Sequence, residues 1–255
     1  LALLQLPRRD DALGFGVLDD PDAQEQRVVA FHPDVDGNLA VFGTGGSGKS
    51  TFLRTIAISA GLTKRGGPCV VYGLDFGSRE LSMLEPLPHV GSIISAEDSE
   101  RTARLLDQLR ETIEERAARY AAVNAGTIGD YRRIADAPDE PRVLLLLDGF
   151  AAFRSAYEVG HTTKVFDALT AITSDGRPVG VHVVISADRL AAVPAALLGA
   201  IQKRVALRLG NEMDESMLGV PKDGFLGESP PGRGFVDGDE VQVAVLSGSG
   251  LAATQ

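Results

Sequence analysis

Four things are scarce in this sequence, and each scarcity narrows what the chain can be. Cys69 is the single cysteine and lies in the apolar run Cys69-Val70-Val71-Tyr72. With no second thiol it forms no intrachain disulfide, which fits a reducing compartment, and it reads as a small buried strand residue. No run reaches the roughly 18 apolar residues that span a bilayer, and no charged-then-apolar segment with a small-residue cleavage site opens the chain. This stretch is therefore expected to be soluble and cytoplasmic, without direct membrane contact. Positive charge is in deficit: 25 Lys and Arg face 35 Asp and Glu, a formal net charge of -10. That balance repels a polyanion and makes DNA the less favoured partner, although a ring of subunits could still present local basic loops. The four histidines, His32, His89, His161 and His182, stand singly without ligand spacing, which leaves no histidine metal site and no nucleophile triad to read.

What the chain does have is 255 residues at 44% apolar content, enough to bury one large core. Strand-like runs at 38–42, 69–74, 92–94, 143–147, 181–185 and 205–209 alternate with helical patterns, which predicts an α/β fold. The run Val143-Leu144-Leu145-Leu146-Leu147 is continuously apolar, as a parallel strand covered on both faces must be. Helices are predicted over 49–60 and 99–123, the second with Leu105, Leu109, Ile113, Ala117 and Tyr120 as its core stripe. Residues 1–37, with a short strand at 27–31, read as a small antiparallel flap packed on the core. Residues 38–247 form that core and close on an edge strand at 240–246, after a Gly/Pro-dense stretch over 221–234. Residues 248–255 read as linker, and with Leu1 in first place the sequence looks like a piece of a longer polypeptide.

The chemistry centres on Gly43-Thr44-Gly45-Gly46-Ser47-Gly48-Lys49-Ser50, a match to G-x-x-x-x-G-K-[ST] set between a strand and a helix. In this pattern Gly45, Gly46, Ser47 and Gly48 let the backbone curl so that amide N–H groups converge on a phosphate, and Thr51 sits in the helix turn behind them. Lys49 is expected to reach the β- and γ-phosphates of ATP, and Ser50 to offer its hydroxyl to Mg²⁺. Asp148, ending the apolar strand 143–147, is expected to hold that Mg²⁺ through water. Lys49 and Asp148 are the candidate catalytic residues. A water-polarising glutamate would follow Asp148, but Gly149 stands there, so hydrolysis is expected to be slow. Glu158 and Asp175 are candidate replacements; if the base alone is missing, Gly149→Glu is expected to raise hydrolysis by about 10²–10⁴-fold, and no increase would mean that other parts of the site are also incomplete. Ser186, at the tip of 181–185, is a candidate γ-phosphate contact, with Asp188 and Arg189 just beyond; an N-cap role for Ser186 and Asp188 stays open. Arg204, Arg208 and Arg233 are candidate fingers for a neighbour's nucleotide, or structural ion pairs.

Several segments outside the loop carry a resemblance. They are Gly14-Phe15-Gly16-Val17-Leu18-Asp19-Asp20-Pro21 with Gln24 and Gln26, Leu74-Asp75-Phe76-Gly77 with Glu80-Leu81, and Leu87-Pro88-His89-Val90-Gly91. Arg116-Ala117-Ala118-Arg119-Tyr120, Tyr131-Arg132-Arg133 and Gly180-Val181-His182-Val183-Val184 follow. Arg208-Leu209-Gly210-Asn211, Asp214-Glu215-Ser216 and Pro230-Pro231-Gly232-Arg233-Gly234 complete the set. In this order they resemble the FtsK/SpoIIIE ATPase family, and within it the EccC-like modules of type VII secretion. The resemblance implies a P-loop NTPase of RecA/FtsK-like type, with a predominantly parallel sheet and small antiparallel additions at both chain ends. It also implies nucleotide held between neighbouring modules of a tandem array or hexamer-like homo-oligomer, a secreted substrate's signal peptide as a further partner, and a place in the cytosolic part of a membrane-anchored protein. DNA-pumping members carry Asp-Glu where this chain has Asp148-Gly149, and Thr-Gln where it has Ser186-Ala187. Both departures are similar to accessory modules that bind nucleotide firmly and act in regulation or substrate recognition. The alternatives are a DNA translocase motor and a passive scaffold.

Overall fold

The computed structural model describes residues 10–20, 25–62, 69–222, 224–225 and 229–245. Leu1, Pro21, Gln24 and the predicted linker 248–255 lie outside them. The chain first lays down β1 (Leu13–Asp20), β2 (Glu25–Phe31), α1 (Pro33–Asp36), β3 (Leu39–Phe42), α2 (Lys49–Gly61), β4 (Cys69–Asp75) and β5 (Val90–Ser95). Then come α3 (Ser99–Ala121), α4 (Ile128–Ile134), β6 (Arg142–Asp148), α5 (Phe150–Tyr157), α6 (Thr163–Asp175) and β7 (Val181–Ala187). The last elements are α7 (Ala195–Ala200), β8 (Lys203–Leu207), α8 (Glu212–Met217), β9 (Arg233–Val236) and β10 (Asp239–Val243).

These strands make one sheet in the order β2-β1-β10-β9-β8-β3-β7-β6-β4-β5. From β8 to β5 all neighbours are parallel. The strands from the two chain ends continue the sheet antiparallel from β8, and the strand expected at an edge over 240–246 is instead β10, inside the sheet, because β1 pairs along the side β9 leaves open. This is the mostly parallel, helix-flanked architecture the sequence predicts, with antiparallel additions from both termini. The apolar run in β6 is explained by burial at all seven of its positions. Leu144 and Leu146 pack with Phe52 and Ile56 of α2 on one face, while Val143, Leu145 and Leu147 pack with Leu109 of α3 and Ile172 of α6 on the other. A strand covered on both sides gains nothing from alternation.

Some boundaries differ from the sequence reading, each for a local reason. The strand predicted at 205–209 ends at Leu207, because the Arg208 carbonyl turns to accept from Thr44 N at 2.8 Å and Thr44 Oγ1 at 3.1 Å. On α3, Leu105, Leu109, Ile113 and Tyr120 are buried as predicted, but Ala117 is exposed and Arg116 takes its place on the inner face. Arg116 Nη1 donates to Val179 O at 3.0 Å and its Nε pairs with Glu140 at 3.1 Å, so the guanidinium is satisfied inside. Cys69 is buried in β4, and burial pushes its thiol up to about 12 against the opposing pull of Arg142. Among the described residues no helix is long and apolar enough to cross a membrane, and no group of three or more His, Cys, Asp or Glu could hold a metal ion.

Candidate functional site

β3 lies inside the sheet between β7 and β8, and the chain leaves its C-terminal end into the Gly43–Ser50 loop. In open parallel sheets this carboxyl edge is where ligands bind. The loop is clamped by both neighbours: Gly43 N donates to Ala187 O of β7 at 3.1 Å, and Thr44 N to Arg208 O beyond β8 at 2.8 Å. Gly46 and Gly48 hold φ of +70° and +106°, the left-handed region that glycine adopts freely. A Cβ on Gly48 would lie 2.9 Å from Gly232 N, and Gly232 N itself donates to Ser47 O at 2.8 Å, so the turn before β9 props the loop from behind. In front the cradle is open, since a Cβ on Gly45 or Gly46 would meet nothing within 4 Å.

Phe52 N donates to Gly48 O at 2.9 Å, so the amides of Lys49, Ser50 and Thr51 precede the first helical bond. They face the loop with no intrahelical acceptor and add the field of the α2 N-terminus. Ser47 Oγ is buried without a hydrogen-bond partner. Lys49 Nζ donates to Gly43 O at 2.7 Å and Thr44 O at 3.0 Å, and forms an ion pair with Asp188 at 2.9 Å. Thr51 Oγ1 accepts from Arg54 Nη2 at 2.8 Å.

Asp148 ends β6, two strands from β3, and comes to the same spot. Its Oδ2 accepts from Ser50 Oγ at 2.8 Å, and its Oδ1 accepts from Ser186 Oγ. Ser186 is fully buried and also accepts from Gly149 N at 2.9 Å. Its hydroxyl is thus committed to fixing the carboxylate rather than presented to the cradle. An open glycine cradle, an ammonium, an orphaned buried hydroxyl and a serine hydroxyl joined to a carboxylate fit a nucleoside triphosphate with a magnesium ion.

Gly149 is more constrained than its residue type suggests. It sits at φ +77°, and a Cβ there would lie 2.7 Å from the carbonyl carbon and oxygen of Phe76. The expectation that glutamate could be restored here by one substitution meets this obstacle. The loop after β4 is pinned against Asp148 because Asp75 accepts from the amides of Gly77, Arg79 and Leu81 at 3.2, 3.2 and 2.9 Å.

The remaining candidates separate by position. Glu158 lines a cleft of about 630 Å³ beside the loop, together with Thr44, Arg154, Asp188, Arg189 and Asn211, and pairs with Arg154 at 2.7 Å. Asp175 ends α6, whose Thr173 carbonyl accepts from Asn38 Nδ2 at the opposite, entering edge of β3. Arg204 donates to the Leu198 and Ile201 carbonyls at the end of α7, and Arg233 pairs with Glu240. Arg208 lies against the loop of its own chain, 3.4 Å from Gly45 O. Asp188 caps no helix; its partner is Lys49. Neither that pairing nor the Gly232 prop was read from the sequence, where both sit far from the loop.

A model of the FtsK/SpoIIIE family matches residues 8–221. The ESX-1 secretion system protein EccCb1 of Mycolicibacterium smegmatis is 30% identical over 212 residues, 80% of this chain and 35% of that protein. The ESX-4 secretion system protein EccC4 of Mycobacterium tuberculosis is 30% identical over 253 residues, 94% of this chain and 19% of that protein. The solved structure of Thermomonospora curvata EccC (ATPases 2 and 3) in complex with a signal sequence peptide covers 94% of this chain at a TM-score of 0.83 and 26% identity. This chain covers 44% of that one, so it corresponds to a part of each of these proteins.

Proposed function

The chain belongs to the FtsK/SpoIIIE family, and on that premise we propose that it is an ATP-binding module of an EccC-like type VII secretion motor. In this reading it holds Mg-ATP firmly, hydrolyses it slowly and serves regulation or substrate recognition in the cytoplasm. The observation that carries the reading is the joining of Lys49, Ser50 and Asp148 in one open cradle while Gly149 fills the place of the water-activating acid.

Each residue has a definite part. The amides around Gly45, Gly46, Ser47 and Gly48 and the α2 N-terminus receive the phosphates, and Lys49 neutralises them. Ser50 and Asp148 would hold the magnesium ion that accompanies the nucleotide, and Ser186 keeps that carboxylate in place. Thr51 stands in the first turn of α2, beside the end that receives the anion. Bound Mg-ATP supplies the γ-phosphoryl group whose transfer to water is the family's chemistry. Of the acids nearby, Asp75 is engaged by three amides and Glu158 by Arg154. We propose residues 38–247 as the ATPase core, 1–37 as the flap upon it, and neighbouring modules or copies as its partners. A signal peptide is a further partner by analogy with the EccC complex.

Equilibrium titration with Mg-ATP tests the reading. The expected result is saturable binding by the wild type that Lys49→Ala weakens by at least about 100-fold. Equal binding by the two proteins contradicts it.

A further inference from the structure

We propose that Asp188 is a built-in anion that competes with the nucleotide for Lys49 and so sets how tightly the cradle takes a triphosphate; the proposal rests on the reading of the cradle as an ATP site. The Lys49 ammonium has three N–H donors. Its three partners are Gly43 O at 2.7 Å, Thr44 O at 3.0 Å and the Asp188 carboxylate at 2.9 Å. The two carbonyls belong to the loop, whereas the carboxylate reaches in from the tip of β7. Its side chain is 70% exposed over a lysine that is 13% exposed. A phosphate that takes a donor from Lys49 therefore displaces one of the three, and the exposed carboxylate, which is no part of the loop, is the partner with room to leave.

The segment is built to let the side chain go without moving the backbone. Leu190 N, two residues on, is held by Asp214 at 3.2 Å, and Asp214 in turn accepts from Asn211 Nδ2 at 3.2 Å. Asp188 itself lines the cleft beside Thr44, Arg154 and Arg189, where a displaced carboxylate has both room and cations. The charged groups facing it are thus Lys49, Arg154, Arg189 and Glu158. A carboxylate left beside a polyphosphate also repels it, and repels the longer, more negative chain more. Neutralising Asp188 should favour ATP over ADP. Because the acid is largely exposed, the effect is modest and salt-sensitive.

Calorimetric titration of the whole chain with ATP and with ADP, both in excess magnesium, tests this in the wild type, Asp188→Asn, Asp188→Ala and Lys49→Ala. The expected result is ATP binding tightened about three- to tenfold in both Asp188 variants, a smaller gain for ADP, and a shrinking gain as salt is raised. ATP affinity unchanged or weakened in both variants overturns the proposal, including the case in which they lose turnover alone, which would make Asp188 a base. Failure of the ATP reading looks different: the wild type gives no binding, or Lys49→Ala binds as well as the wild type, and the proposal falls with it.

Discussion

At the scale of single residues, the site turns on what glycine and serine do to a carboxylate. Asp148 is held from two sides by Ser50 and Ser186, and Gly149 turns the chain away immediately after it. Gly149→Glu is therefore expected to destabilise the fold by about 2–3 kcal/mol, through left-handed strain and overlap with Phe76, and to leave hydrolysis no faster. Urea unfolding and an ATPase assay on the same preparation check both parts. A stable variant with a large rise in hydrolysis would show that only the base is missing. That Lys49, Ser50 and Asp148 come together was legible in the sequence, because a contiguous motif and a strand-ending acid carry them. The φ of Gly149 and the commitment of the Ser186 hydroxyl were not, since both depend on β4 and β7 lying against β6.

At the scale of elements, the entering edge of the sheet is tied by a buried ionic network that local pattern does not reveal. Arg142 of β6 bonds Asp34 of α1 at 2.8 Å, Asp10 at 3.2 Å and the His182 ring of β7 at 2.8 Å. The other ring nitrogen of His182 meets Gly37 O at 2.6 Å. With Nδ1–H donating there, Nε2 accepts from Arg142 and the ring stays neutral. Burial first, then the Arg142 charge, hold its pKa near 3, below the ordinary 6.5. Between those values the unfolded chain binds a proton that the folded chain refuses, so this contribution to stability is present above pH 6.5 and is lost as pH falls toward 3. His182→Gln should be less stable at neutral pH yet show a flatter decline in unfolding free energy between pH 6.5 and 4. Parallel curves for the two proteins would contradict the assignment. β9 was hidden for a related reason. Gly234, where a Cβ would lie 2.3 Å from Ala206 O, is demanded by close strand packing but reads as a loop residue in sequence.

At the scale of the whole molecule, the alternation of apolar runs and helical stripes was enough to read the parallel sheet. The way both chain ends extend it was readable only as antiparallel additions, because β1 pairs with β10 across more than two hundred residues. That arrangement places the turn at Gly232 behind the phosphate loop and makes the additions part of the site's support. With a net charge of -10, duplex DNA is expected to leave nucleotide binding and hydrolysis unchanged at moderate salt; stimulation that fades as salt rises would favour a DNA translocase instead. The central claim is that nucleotide capture and rapid turnover are separated in this chain. A single-turnover experiment with protein in excess over Mg-ATP tests it most directly. The account predicts that the bound ATP decays at a rate on the order of 10⁻² s⁻¹ or slower, whereas complete hydrolysis within a second would contradict it.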